Sequence, residues 1–188
     1  MTLIANDFRY AGKFLFFDVS DTYLYIHSTN VCLMSLMLGH VLNMDVTELL
    51  NLGISAILHD VGLVPIADDV SEDSPNEIER ELFKSHALRG KELPDQYTDV
   101  PKAAKTVALT HHERDDGSGY PDMLTGSMIH PFAKIVALAD TFEKLRVAGF
   151  KHTSMKRTKV LEYMVVHGHA FNHGYFKTFL QFVAGPGL

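Results

Sequence analysis

Cysteine is nearly absent: Cys32 is the only one in 188 residues. A single thiol excludes a disulfide framework and fits a reducing compartment, so a cytoplasmic protein is expected. Cys32 lies in an apolar helical segment, where packing is its expected role. Basic residues are also scarce, with 17 Lys and Arg against 23 Asp and Glu and a net charge of −6. That balance argues against a nucleic-acid polymer or an acidic membrane as partner, while a local basic pocket for phosphate stays open. No signal-peptide core or membrane-spanning segment is expected. The nearest, Lys13-Phe14-Leu15-Phe16-Phe17, ends at Asp18 and reads as a short strand or the start of a first helix. Internal repeats, low-complexity stretches and a splitting linker are missing too. A single domain over 1–188 is therefore expected, with residues 1–20 as a lead-in.

Period-two patterning is rare, whereas helical periodicity recurs, so the fold class is all-α. Leu24, His27, Val31, Met34 and Leu38 mark one face of a helix over about 21–43. A second helix over 47–58 carries Leu49, Leu52 and Ala56 inward. His59 and Asp60 extend that face before Gly62 and Pro65 break it. Ser74-Pro75-Asn76-Glu77 reads as a capping box, and Ile78, Leu82 and His86 then follow at four-residue steps, aiming His86 inward. A fourth helix over 100–112 leads through Ala104, Val107 and Ala108 to His111 and His112. Residues 116–121 form a loop punctuated by Gly117, Gly119 and Pro121. A fifth helix over 131–147 places Phe132, Val136 and Asp140 on one face. Helices over 153–167 and 175–183 follow.

What the chain has in excess is histidine, eleven in all, and most of them sit in motifs. Five helical segments end on, or turn inward, His27, His59 with Asp60, His86, His111 with His112, and Asp140. Neutral imidazoles with carboxylates are the donor set of borderline divalent cations such as iron, manganese, nickel or zinc. Seven such groups exceed what one ion needs, and a carboxylate can bridge two, the arrangement used for phosphoester hydrolysis. A lone His27 or His86 would read as a core histidine; the run His111-His112-Glu113 followed by Asp116-Gly117-Ser118-Gly119-Tyr120-Pro121 does not. Of Glu113, Asp115 and Asp116, one is expected to orient a ligand histidine. His40, His130, His152, His167, His169 and His173 fall outside the pattern and are expected at the surface or in packing.

These segments, with His59-Asp60-Val61-Gly62 and Ala137-Leu138-Ala139-Asp140, resemble the HD-GYP family over about residues 23–182. The resemblance implies an HD-domain helical bundle of six to seven helices with a C-terminal extension. It further implies a phosphodiesterase that hydrolyses cyclic di-GMP to linear pGpG or GMP. His27, His59, Asp60 and Asp140 would hold one metal, and His86, His111 and His112 a second, with Asp60 bridging. Asp60 and His59 would be central to catalysis. Some members have a glutamate for a third metal where this chain has Tyr23, so two ions are expected, iron or manganese before nickel or zinc. The loop residues Gly119 and Tyr120 would approach substrate, and the Gly-Tyr-Pro loop would receive other signalling proteins, GGDEF-type among them.

Two departures bear on turnover. The family reads His-Asp-x-Gly-Lys, its lysine contacting substrate phosphate, and this chain has Leu63. The Arg-Pro-Tyr-type segment after the late aspartate is also missing; Arg146 and Lys151 are the basic residues placed to substitute. Reduced activity is expected, since a charged phosphate contact is worth about 1.5–3 kcal/mol. Two alternatives follow: a metal-binding module that senses the dinucleotide or engages proteins but turns over little, and a phosphohydrolase of another nucleotide.

Overall fold

The long first helix, α1 (Thr22–Val41), forms because its apolar positions recur at helical spacing. Val31 and Leu38 are fully buried on the same face as His27. The computed structural model describes residues 22–66, 70–92, 100–147 and 156–184. Among these, six helices follow α1: α2 (Val46–Leu58), α3 (Glu77–Glu92), α4 (Lys102–Thr110), α5 (Pro131–Val147), α6 (Arg157–Val166) and α7 (His173–Ala184). No strand occurs among the described residues, and the expected all-α fold is the one found. The run 13–17, His152 and Lys151 lie outside the described residues.

Helix α5 is the axis of the assembly. Ile135, Val136, Ala137, Leu138 and Ala139 are all buried, as only a helix covered on most sides allows. Helices α1, α2, α4, α6 and α7 pack on it, and α3 reaches the core through α4 and the 3-10 turn at Val61–Leu63. Leu38, Leu52, Ala56, Val107, Phe142, Met164 and Phe179 join one apolar cluster. The centre described below is thus walled by packed helices rather than by loops.

Local chemistry sets the helix starts. Asp45 Oδ1 accepts from Glu48 N at 2.8 Å, and Asp45 N donates to Glu48 Oε2 at 2.9 Å, so the reciprocal cap sits at the head of α2. The capping box expected at Ser74 and Glu77 does not form. Asn76 Oδ1 caps Ile78 N instead, and the Ser74 hydroxyl bonds Glu79 and accepts from Asn76 N. The inward face of α3 also differs from the expected stripe. Ile78 and Leu82 are exposed, and Phe83, His86, Ala87 and Gly90 point inward. His86 is buried as expected, but on a different set of neighbours. The stretch Val46–Leu63 has the length and hydropathy of a spanning segment, yet here it is α2 and the turn beyond it, with His59 and Asp60 buried at its end.

Close backbone approach fixes two glycines. A Cβ on Gly62 would stand 2.0 Å from the His86 carbonyl oxygen, so only glycine lets the Val61–Leu63 turn lie against α3. A Cβ on Gly119 would stand 2.4 Å from both Glu113 Cα and the His112 carbonyl oxygen. The close approach at Gly119 is therefore to the chain's own backbone.

Candidate metal centre

Each histidine of the cluster is delivered by a helix end or inward helix face and locked by its outer ring nitrogen. His59 Nδ1 donates to the Ala56 carbonyl at 2.7 Å, and His86 Nδ1 to the Phe83 carbonyl at 2.6 Å. His111, at the C-terminal cap of α4, donates Nδ1–H toward the Val107 and Ala108 carbonyls, both at 3.1 Å. A carbonyl can only accept, so the proton lies on Nδ1 in all three rings and each Nε2 turns a lone pair inward. His27 follows the same plan with a carboxylate: its Nδ1 lies 2.6 Å from Glu143 Oε2, and Asn30 holds the other Glu143 oxygen at 3.0 Å.

Asp60 stands in the middle and divides its oxygens. Oδ2 is 3.4 Å from His27 Nε2 and 3.3 Å from His59 Nε2. Oδ1 is 3.3 Å from His86 Nε2 and 3.2 Å from His111 Nε2. Asp140 Oδ1 completes the first group, 3.0 Å from His27 Nε2 and 3.7 Å from His59 Nε2. His112 completes the second, its Nε2 3.1 Å from that of His86. In each set of four the donor atoms lie within 4.8 Å of one another. All seven residues are at most 4% exposed.

A cation suits this arrangement. Buried polar atoms normally find hydrogen-bond partners, yet His27 Nε2, His59 Nε2, Asp60 Oδ1 and Asp140 Oδ1 have none. The Nε2 atoms of His86 and His111 face each other at 3.4 Å with both protons on the far nitrogens. Two lone pairs at that distance repel unless a positive charge lies between them. Imidazole nitrogens and carboxylate oxygens are the donors divalent ions of the iron–zinc group accept.

The two groups differ electrostatically. Burial opposes charge on His27, but the Asp140, Asp60 and Glu143 carboxylates outweigh it and raise its pKa well above the ordinary histidine range. His59 is raised in the same sense by Asp60 and Asp140 against full burial. In the second group burial dominates: His111 falls to about 4, and His112 is lowered well below the usual value, with His111 and Lys144 adding to the effect. Asp60 and Asp140 stay ionised although burial opposes it. His59 and Lys144 hold the Asp60 carboxyl down, and Lys144 and His27 that of Asp140.

Two residues of this centre went unnamed in the sequence reading, Glu143 and Lys144. They follow Asp140 on α5 by three and four positions, a spacing that puts them on its face. Lys144 Nζ lies 3.0 Å from Asp140 Oδ2 and 3.9 Å from Asp60 Oδ2. Arg146 is 48% exposed, with Nη2 4.0 Å from Glu143 Oε1. Leu63 is half-buried in the turn after Asp60.

The signature loop is built on Glu113 and Asp115. Glu113 is 2% exposed and accepts from Asp122 N at 2.7 Å and Leu124 N at 2.9 Å, so it braces the loop. Asp115 accepts from Lys134 Nζ and Asn172 Nδ2, and Asp116 caps Ser118. The acid that orients a cluster histidine is Glu143, not one of these three, because they are taken up in closing the loop. The loop sets the Tyr120 ring on His112, centroids 4.5 Å apart, with its hydroxyl buried and without a hydrogen-bond partner. Tyr23 stacks on His27 at 5.5 Å. Outside the pattern, His167 Nδ1 donates to the Tyr163 carbonyl and His169 lies on the surface.

A helical bundle around a buried His/Asp donor set defines a metal-binding class of protein. Comparison with known proteins makes this specific: the HD domain family model matches residues 19–171, and the chain belongs to that family. It is 30% identical over 129 residues to the cyclic di-GMP phosphodiesterase PA4108 of Pseudomonas aeruginosa, covering 67% of this chain and 31% of the relative. It is 32% identical over 123 residues to 3'3'-cGAMP-specific phosphodiesterase 2 of Vibrio cholerae, covering 63% and 23%. The chain thus spans about a third or less of these relatives' length. Among solved structures, Bd1817 of Bdellovibrio bacteriovorus, described as an HDG"Y"P protein, matches with a TM-score of 0.72 at 20% identity, covering 90% of this chain and 55% of that one. At that identity the likeness speaks to the fold, which it shares.

Proposed function

We propose that this protein is a metal-dependent phosphodiesterase that hydrolyses cyclic di-GMP to linear pGpG or GMP. The observation that carries the reading is the division of the Asp60 carboxylate between two groups of histidines. His27, His59, Asp60 and Asp140 would hold one divalent ion and His86, His111, His112 and Asp60 the other. Iron or manganese suits the mixed nitrogen–oxygen set best, with nickel or zinc as further fits. When bound, such a pair supplies Lewis-acid polarisation of a phosphate and lowers the pKa of a coordinated water toward neutrality.

The residues of the chain do the rest. Asp60 keeps the two sites in fixed register, and His59, locked by its carbonyl bond, aims its Nε2 at the Asp60 and Asp140 carboxylates. Burial of the centre excludes bulk water and strengthens every charge interaction within it. Tyr120 presents an unpartnered hydroxyl next to His112, and Gly119 lets the loop close tightly enough to put it there. Arg146 is a surface candidate for a second phosphate, and Lys151 keeps the role suggested by the resemblance. Docking of GGDEF-type or other signalling proteins on the Gly-Tyr-Pro loop, and a cytoplasmic location, belong to the same reading.

The test is turnover of cyclic di-GMP by protein loaded anaerobically with iron or manganese, with linear product followed by chromatography. Slow hydrolysis, abolished in His111→Ala and His112→Ala, is expected. Leu63 favours one other reading, a sensing module. Metal-replete protein that binds the dinucleotide and yields no linear product over many hours would establish that instead. Hydrolysis of another nucleotide, such as 3'3'-cGAMP, with cyclic di-GMP untouched would move the substrate assignment, in line with the Vibrio relative's name.

A further inference from the structure

We propose that Lys144 is the phosphate-gripping cation of this centre, supplied from α5 where the turn after Asp60 offers only Leu63. The inference rests on the proposed function for the identity of the substrate, and on the geometry alone for the binding of phosphate.

The ammonium lies at the edge shared by Asp60 and Asp140. Asp140 turns Oδ1 to the histidine nitrogens and Oδ2 to Lys144, so the lysine occupies no donor position of the first metal group. Its hydrogen bond to Oδ2 at 3.0 Å uses one of three N–H donors, and Asp60 Oδ2 at 3.9 Å is beyond hydrogen-bond reach. Two donors remain. The seven donor residues are at most 4% exposed, whereas the Lys144 side chain is 28% exposed. Lys144 therefore gives the centre a solvent-facing edge, from which a ligand can approach.

Charge points to what enters. With divalent ions in both groups, the local positive charge exceeds that of the Asp60 and Asp140 carboxylates, and Lys144 adds to the surplus. The Asp140 carboxylate already links the ammonium to the first group, but it offsets only part of that positive charge, so a further anion is attracted there, and a phosphate oxygen fits between an ammonium and a divalent ion. Asp140 also pins the ammonium before any ligand arrives, so little side-chain freedom is lost on gripping one. Leu63 can make no such contact, and Arg146 turns to Glu143 at the surface.

The probe is inorganic phosphate, titrated into manganese-saturated protein and followed by calorimetry, with manganese per chain and helical circular dichroism measured alongside. Lys144→Met, similar in length and uncharged, should weaken phosphate binding about ten- to a hundredfold at unchanged manganese content. Lys144→Arg, which keeps the charge, should retain most of the affinity. The inference is overturned if Lys144→Met binds phosphate like the wild type. It is equally overturned if that variant only loses manganese while its loaded fraction binds phosphate normally, since Lys144 would then serve the carboxylates alone. Failure of the substrate assignment looks different: Lys144-dependent phosphate binding with no binding or cleavage of cyclic di-GMP would leave the role of Lys144 standing and remove the substrate.

Discussion

Glu143 Oε2 stands 2.6 Å from His27 Nδ1, a contact between residues 116 positions apart that joins α5 to α1. It fixes the ring so that Nε2 faces Asp60 and Asp140, and it couples packing of the two helices to the geometry of the centre. A carboxylate partner on the outer nitrogen also raises the donor strength of the inner one.

Glu143→Gln should therefore weaken metal binding at the His27 group by about ten- to a hundredfold while leaving the fold intact, since an amide fills the same space. Metal titration with competition by a chelator reads the change. Unaltered affinity would mean that Glu143 serves only to join the helices.

The shared position of Asp60 predicts unequal effects of ligand removal. Asp60→Ala should lose both ions, because both groups draw on its oxygens. His27→Ala should lose mainly one. Element analysis after loading under reducing conditions separates the two, and equal losses in both variants would rule out a bridging role. Some loss of stability should accompany Asp60→Ala, since the surrounding imidazoles then lack a partner inside the core.

The two groups should also differ in their response to pH. A ligand nitrogen must be free of its proton to bind a cation. His27 is raised well above the ordinary histidine range, so near neutral pH binding at its ring must expel a proton, and affinity of its group should fall as pH drops. His111, lowered to about 4, and His112, lowered well below the usual histidine value, are already neutral at pH 7, so the His111 contribution to affinity should stay flat down to about pH 5. Calorimetry in buffers of different ionisation enthalpy would detect the released proton. Its persistence in His27→Ala at the wild-type level would contradict the assignment.

Much of this was legible in the chain before folding because the donors travel in short motifs: His59-Asp60, His111-His112 and the loop at 117–121 each announce themselves locally. His86 was found on the wrong stripe, because Ile78 and Leu82 share its periodicity but face solvent; the turn at Gly62 presses instead on the face of Phe83 and Gly90. Ser74 and Glu77 have the spacing of a capping box, yet Glu79 and Asn76 compete for the same hydroxyl and the helix head. Glu143 and Lys144 carry no motif. Their roles come from α5 lying beside α1 and the turn after Asp60, a tertiary relation that periodicity alone does not specify.

Gly62 tests how far that packing supports the centre. Gly62→Ala would drive a methyl group to 2.0 Å from the His86 carbonyl oxygen and 2.6 Å from Gly90 N, both backbone atoms that cannot rotate away. The turn and α3 must separate, which for overpacking costs about 1–3 kcal/mol. His86 moves with α3, and its Nε2 leaves Asp60 Oδ1, from which it now stands 3.3 Å. The second group should therefore loosen while the first, built from α1, α2 and α5, keeps its geometry. A lowered melting temperature with selective loss of one ion is the expected result. A variant that melts lower yet holds both ions with wild-type affinity would show that the position of His86 does not depend on this turn.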